Sequence, residues 1–159
     1  MQVDIVRFPE TRVAVIEHDG DAAQEHQTVR KLVAFKLEHG LRDPERYRHY
    51  GLHFSDPARP QGYRVSFCLS IDALDGPLPS NESGIHEGVI TACRCARARD
   101  VGSRNKNQAV PYLFESWLPT SGETPADGAL IFHYVNVGPN VKPAEMITDV
   151  YLPLVDPKD

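Results

Sequence analysis

Leu113-Phe114-Glu115-Ser116-Trp117-Leu118-Pro119-Thr120-Ser121-Gly122 holds the one tryptophan of a 159-residue chain, and its reading decides the fold. Val110, Leu113, Phe114 and Trp117 recur at three- and four-residue steps, which predicts that they share one face of a helix. Pro119 cannot continue the hydrogen-bond ladder, and Gly122 can take the left-handed turn beyond it. The stretch reads as a buried helix end closed by Pro and Gly. Pro111 belongs in the first turn, where its missing N–H is not needed, so the helix starts near Gln108.

Outward from that helix, β-rich runs are predicted at Gln2 to Phe8, Arg12 to His18, Tyr47 to Phe54, Tyr63 to Ile71, Gly88 to Cys95, Ala129 to Val137 and Met146 to Leu154. In the fourth run, Tyr63, Val65, Phe67, Leu69 and Ile71 alternate with Arg64, Ser66, Cys68 and Ser70, so one face is buried. Asp19-Gly20-Asp21 reads as a turn. Asp21 is an N-cap with Gln24 three residues on, opening a helix that runs to about Glu38. Its stripe is Ala22, His26, Val29, Val33 and Leu37, with Leu32 beside it, and Gly40 follows its end. Ser55-Asp56-Pro57, the Pro/Gly stretch Ala58 to Gly62, and Gly138 to Pro143 read as loops. Asp75 to Ser83 separates two halves and is short for an interdomain linker.

Each half thus reads strand, helix, strand, strand, with a period of roughly eighty residues. Tyr50-Gly51-Leu52-His53-Phe54 answers Phe132-His133-Tyr134-Val135-Asn136, and Val65 to Leu69 answers Asp149 to Pro153. Three strands and one helix enclose too little core alone. The expected fold is one α+β domain over residues 1–159, with half one at about 1–74 and half two at about 84–155. The halves build a curved antiparallel sheet with two helices on one face and a pseudo-twofold axis, and the seam between them is the expected place for a groove.

Composition narrows the function. Hydrophobic residues are 41% and charged residues 25%, which suits a globular chain. The formal net charge of −5 gives no pull on phosphate backbones, so direct nucleic-acid binding is not expected. The short basic run Arg94, Arg97, Arg99 reads as a solvated strand end. No apolar run is long enough to span a membrane, the start lacks a signal peptide's features, and three cysteines form no disulfide framework. A reducing cytoplasm is expected, with no residues to spare for a fused helix-turn-helix.

Several phrases, in this order and spacing, resemble the GyrI-like family, the effector-binding domains of AraC-type and multidrug-responsive activators together with stand-alone gyrase-inhibitor-like proteins. They are Val13 to Gly20, Tyr50-Gly51-Leu52-His53-Phe54-Ser55-Asp56-Pro57, Tyr63 to Leu69, Gly84-Ile85-His86-Glu87-Gly88, Trp117-Leu118-Pro119-Thr120-Ser121-Gly122, and Thr148-Asp149-Val150-Tyr151-Leu152-Pro153-Leu154. The resemblance implies the repeated β-α-β-β plan and small-molecule binding. It also implies a pocket carboxylate in an "E-x-Y" phrase, which would place Glu at Phe132 and keep Tyr134. Phe offers a cation only its ring face, worth about 0.5–2 kcal/mol. A neutral, flat or apolar ligand is therefore expected.

The candidate ligand-binding residues are Tyr50, Trp117, Phe132, Tyr134 and Tyr151, because aromatics stack on planar ligands with little loss of entropy, and Glu115, which could replace the missing carboxylate. Each aromatic can equally be ordinary core. Cys93-x-Cys95 puts two sulfurs on one strand face but has no further ligand at metal spacing, so no metal and no cofactor is expected. His53 and His133 as haem ligands rest only on a related fold. Ser116 and Ser121 lack the context of a nucleophile. The expected function is a stand-alone binder or sensor of a hydrophobic or aromatic molecule, with no membrane partner. The alternatives are a protein-interaction module of the gyrase-inhibitor kind, with a protein partner, and a hydrolase of strained rings or esters using Glu115 or Glu87.

Overall fold

A computed structural model of the chain describes residues 1–19, 21–55 and 63–157. Gly20 of the first turn, Asp56-Pro57 and the loop 58–62 lie outside these residues. The fold is α+β, and every strand pairing among the described residues is antiparallel. The chain forms two compact units: Glu10–Thr91, and Met1–Pro9 together with the chain from Ala92 on.

The first unit contains β2 (Thr11–Asp19), α1 (Glu25–Glu38), β3 (His49–Ser55), β4 (Tyr63–Ser70) and β5 (His86–Ile90), with sheet order β3-β4-β2-β5. The second contains β1 (Val3–Phe8), β6 (Cys93–Val101), a helical run α2 over residues 109–121, β7 (Leu130–Tyr134) and β8 (Ile147–Pro153), with order β1-β6-β8-β7. The plan is the same twice. Each unit also gains an outer strand beside its first one, and that strand immediately precedes the other unit's first strand in the chain. The division near 74–84 read from the sequence follows chain order; the compact units follow hydrogen bonding and exchange β1 and β5. The single run expected from Gly88 to Cys95 is two strands parted at Thr91-Ala92, a break that neither Pro nor Gly marks.

In the first unit α1 packs Leu32 and Phe35 onto Ala14, Ile16, Val65, Phe67, Leu69 and Ile71. Its apolar stripe is rotated from the expected one. Phe35 is buried and Leu37 is exposed; Val29, Leu32 and Phe35, at three-residue steps, form the face that meets the core. His18 ties the start of the helix to β2: its Nε2 donates to the Asp21 carbonyl at 2.8 Å, and its Nδ1 is hydrogen-bonded to the Thr28 hydroxyl at 2.7 Å. Asp21 caps a 3₁₀ turn at Ala22–Gln24, accepting from the Ala23 N–H at 2.9 Å. The Pro/Gly segment after β4 belongs to this unit: the Arg12 guanidinium donates to the carbonyls of Leu74 at 3.1 Å and Gly76 at 2.7 Å, and to Glu87 at 2.7 Å.

In the second unit α2 begins with an α-helical turn, Ala109–Pro111, widens into a π-helical stretch, Tyr112–Trp117, and closes with Leu118–Ser121. The Leu118 N–H bonds to the Leu113 carbonyl, five residues back. Pro119 therefore sits inside the helix rather than ending it. The wide turn before it relieves the clash between its ring and the preceding carbonyls, and Gly122, at φ +74°, ends the run in the left-handed conformation. The wide turn also changes which side chains point inward. Ala109 and Leu113 are fully buried against Ala96, Ala98, Val150 and Leu152, with Trp117 and Leu118 half-buried on the same cluster. Phe114, expected on this face, is 39% exposed.

Leu113→Ala is expected to remove about 2–5 kcal/mol of stability by leaving a cavity, and Phe114→Ala less than about 1 kcal/mol because the ring already meets solvent. Denaturant unfolding of the two variants measures the difference; equal losses would restore the regular helical face.

Candidate functional site

The register of the second unit sorts its side chains onto two faces. Direct cross-strand partners share a face, as do residues two apart on a strand. One face lies under α2 and carries Ala96, Ala98 and Asp100 of β6, Thr148, Val150 and Leu152 of β8, and Leu130, Phe132 and Tyr134 of β7. The opposite face carries Arg97, Arg99, Asp149, Tyr151, Ile131 and His133.

This splits the aromatic set predicted from the sequence. Phe132 and Tyr134 lie on the helix-covered face, both half-buried, with ring centroids 6.5 Å apart and planes 17° from parallel. Trp117 packs on the same apolar cluster as Phe132. Tyr151 points the other way. It meets Phe8 edge-on at 5.1 Å, and burial, reinforced by the charge of Asp149, pushes its phenol above the usual range. It cannot share a wall with Phe132, because the partner of Phe132 on β8 is Val150 and the partner of Tyr151 on β7 is Ile131. Tyr50 belongs to the first unit, 5% exposed, and pairs with Cys68 on the side of that sheet away from α1. Glu115 is exposed on α2, the opposite of the setting a pocket carboxylate needs.

The loop before α2 adds a residue that sequence reasoning missed. Arg104 is half-buried, with its guanidinium carbon 5.1 Å from the Tyr134 ring centroid. Its Nη2 donates to the carbonyls of Asn136 at 2.7 Å and Ile147 at 3.4 Å. Burial lowers its pKa, and Tyr134 opposes the shift. Asp100 holds the same loop, accepting the Gln108 N–H at 3.0 Å, while Asn107 accepts the Val110 N–H at 3.0 Å. No sequence signal beyond a polar Gly-containing segment marked Arg104.

Of the arginines of β6, Arg99 and Arg97 are solvated, as the sequence reading expects, and Arg94 is more covered; all three are also paired to carboxylates. Arg94 grips Glu123 with two bonds of 2.7 and 3.1 Å, Arg97 meets Asp4 at 3.3 Å, and Arg99 grips the buried Asp149 at 2.7 and 3.0 Å. Their charge is matched locally, two of them in the bidentate geometry that favours guanidinium–carboxylate pairs.

Elsewhere, burial pushes the Cys68 thiol up to about 12, and Cys95, its Sγ 3.3 Å from that of Cys93, is likewise raised by burial first. These are packed thiols with little thiolate. Among the described residues no group of three or more His, Cys, Asp and Glu side chains is placed to hold a metal ion, and no helix is long and apolar enough to cross a membrane.

The pattern of small-molecule-binding domains described as GyrI-like matches residues 1–155. The chain belongs to the GyrI-like small molecule binding domain family. It is 32% identical over 157 residues to the probable transcriptional regulator YgiV of Escherichia coli K12, covering 97% of this chain and 96% of that one. The GyrI-like fold is shared with the EcmrR C-terminal domain, at TM-score 0.69, 16% identity and 97% of both chains. It is shared also with EcmrR in a DNA complex, at TM-score 0.72 and 14% identity; there the match takes in 96% of this chain and the chain spans 57% of EcmrR. SAV2435 bound to tetraphenylphosphonium matches at TM-score 0.60 and 9% identity, over 98% of this chain and 94% of that one.

His53, on β3, is held by burial down to about 4, against an unfolded value near 6.5. As pH falls from 6.5 towards 4 the unfolded chain takes up a proton that the folded chain refuses. Stability is therefore expected to fall across that window, by on the order of 2 kcal/mol, and to be unaffected by this group at higher pH. Denaturant midpoints measured against pH should show the slope, reduced in His53→Gln; an unchanged slope in that variant would contradict it.

Proposed function

We propose that this GyrI-like domain binds a hydrophobic or aromatic small molecule against a wall formed by Phe132, Tyr134 and Trp117 on the helix-covered face of its second unit. The observation that carries this reading is the pair of nearly parallel, half-buried rings on β7, one of which, Phe132, packs on the same apolar cluster as the half-buried Trp117 of α2. Flat rings of this kind give a planar ligand contact area with little entropy to lose. Phe132 stands where the family phrase would have a carboxylate, which favours a neutral ligand over a cation. SAV2435 was solved with tetraphenylphosphonium, a cation built of phenyl rings, which supports the aromatic body of the ligand but not its neutrality.

YgiV, similar over 96% of its length, is a probable transcriptional regulator, and EcmrR was solved in a complex with DNA. That likeness supports a proposed cytoplasmic role in sensing or sequestering a ligand for transcriptional control. With a net charge of −5 and its β6 arginines paired to carboxylates, this chain is proposed to sense the ligand rather than to touch DNA.

A thermal-shift panel of planar dyes and drugs should yield stabilising ligands. Phe132→Ala and Trp117→Ala should each weaken a hit by about tenfold, about 1.4 kcal/mol, and Tyr151→Phe should leave it unchanged. A panel without any shift, or equal losses in all three variants, would remove the reading.

A further inference from the structure

The helix-covered face of the second unit holds three buried polar atoms without a hydrogen-bond partner among the described residues: Arg104 Nε, Thr148 Oγ1 and Asp100 Oδ2. Thr148 is 1% exposed and Asp100 5%. They adjoin one another by register. Tyr134 pairs with Thr148 across β7 and β8, and Thr148 pairs with Asp100 across β8 and β6. Arg104 lies over the Tyr134 ring and bonds to the carbonyl of Ile147, the residue before Thr148. At a strand spacing of about 4.8 Å the row is about 10 Å long, the length of a small planar molecule.

Part of each charged side chain is already held. Asp100 uses Oδ1 to accept the Gln108 N–H at the start of α2, and Arg104 uses Nη2 on two carbonyls. The buried atoms left over are one N–H donor, one hydroxyl able to donate or accept, and one carboxylate acceptor. Buried polar groups are nearly always paired, so a row of three is a place where a partner is missing. One positive and one negative group stand in it, so the row as a whole is neutral.

We propose that Arg104, Thr148 and Asp100 form the polar end of the ligand site, and that the ligand carries a neutral group with a hydrogen-bond acceptor beside a donor, as in a carboxamide or lactam. The inference rests on Phe132 and Tyr134 being the ligand wall, against which the flat body of such a molecule would lie. The amide oxygen accepts from Arg104 Nε–H, the amide N–H donates to Asp100 Oδ2, and the Thr148 hydroxyl lies between them. A ligand ammonium would meet the Arg104 charge at the same site, and a ligand carboxylate would meet that of Asp100. Each charged form satisfies one end of the row and is repelled by the other.

Calorimetric titration of the whole chain with naphthalene, 2-naphthamide, 2-naphthoate and 2-naphthylmethylammonium tests this. The amide should bind at least tenfold tighter than each of the other three. Thr148→Val keeps the shape and the strand preference of its residue; it should bring the amide to within about threefold of naphthalene and leave naphthalene itself unchanged. Arg104→Met should do the same without touching the Asp100 contact to α2. Naphthalene binding with no preference for the amide would overturn the polar row, its three atoms then being served by water, and would leave the ring wall standing. A preference for either ion would overturn the row as well. Binding of none of the four would overturn both.

Discussion

The close seat of α2 on β6 and β8 is the contact that the rest of the second unit depends on. It is made by alanines: Ala96 and Ala98 below, Ala109 above, all essentially without exposure. Small side chains bring the helix backbone near the sheet, and Leu113 then fills the remaining space between Val150 and Leu152. A regular α-helix on that seat would meet the Pro119 ring with a carbonyl one turn earlier. The wide turn from Tyr112 to Trp117 resolves the conflict and carries the chain on to Gly122. Phe114 is turned outward as a result, and Trp117 is brought over the same apolar cluster as Phe132. The candidate site is thus a product of how one proline is accommodated.

The first unit uses the same plan with a different filling. Under α1 the contacts are Leu32 and Phe35 on Phe67, Leu69 and Ile71, and the helix start is pinned by the buried His18. On its β3 the residues paired with the α1-facing positions of β4 are His49, Gly51 and His53. A duplicated scaffold leaves each copy free to carry its own surface. Here the second copy has the stacked rings and the polar row, and the first has a large, closely filled apolar core.

Much of this was legible in the chain. The two helices, the start near Gln108, the left-handed Gly122 and the repeated strand-helix-strand-strand order follow from periodicity and from Pro and Gly chemistry, which are local. What was not legible is set by contacts distant in sequence. The exchange of β1 and β5 depends on hydrogen-bonding partners, not on composition. The wide turn in α2 leaves the residue types unchanged and alters only which of them face inward. The separation of Tyr151 from Phe132 and Tyr134 is a matter of register between β7 and β8, and a slip of one residue would have reversed it. Arg104 had no motif around it; its place over Tyr134 emerges only once β7 and the loop before α2 are side by side.

Trp117 is the one tryptophan, so its indole N–H gives a single resolved resonance in an amide nitrogen–proton spectrum. Titrating a bound aromatic ligand into the labelled protein should move that resonance, together with the backbone amides of Phe132 and Tyr134, along one saturating curve with the affinity found by calorimetry. Saturable binding that leaves the Trp117 indole and both β7 amides in place would put the ligand elsewhere and contradict a site beneath α2.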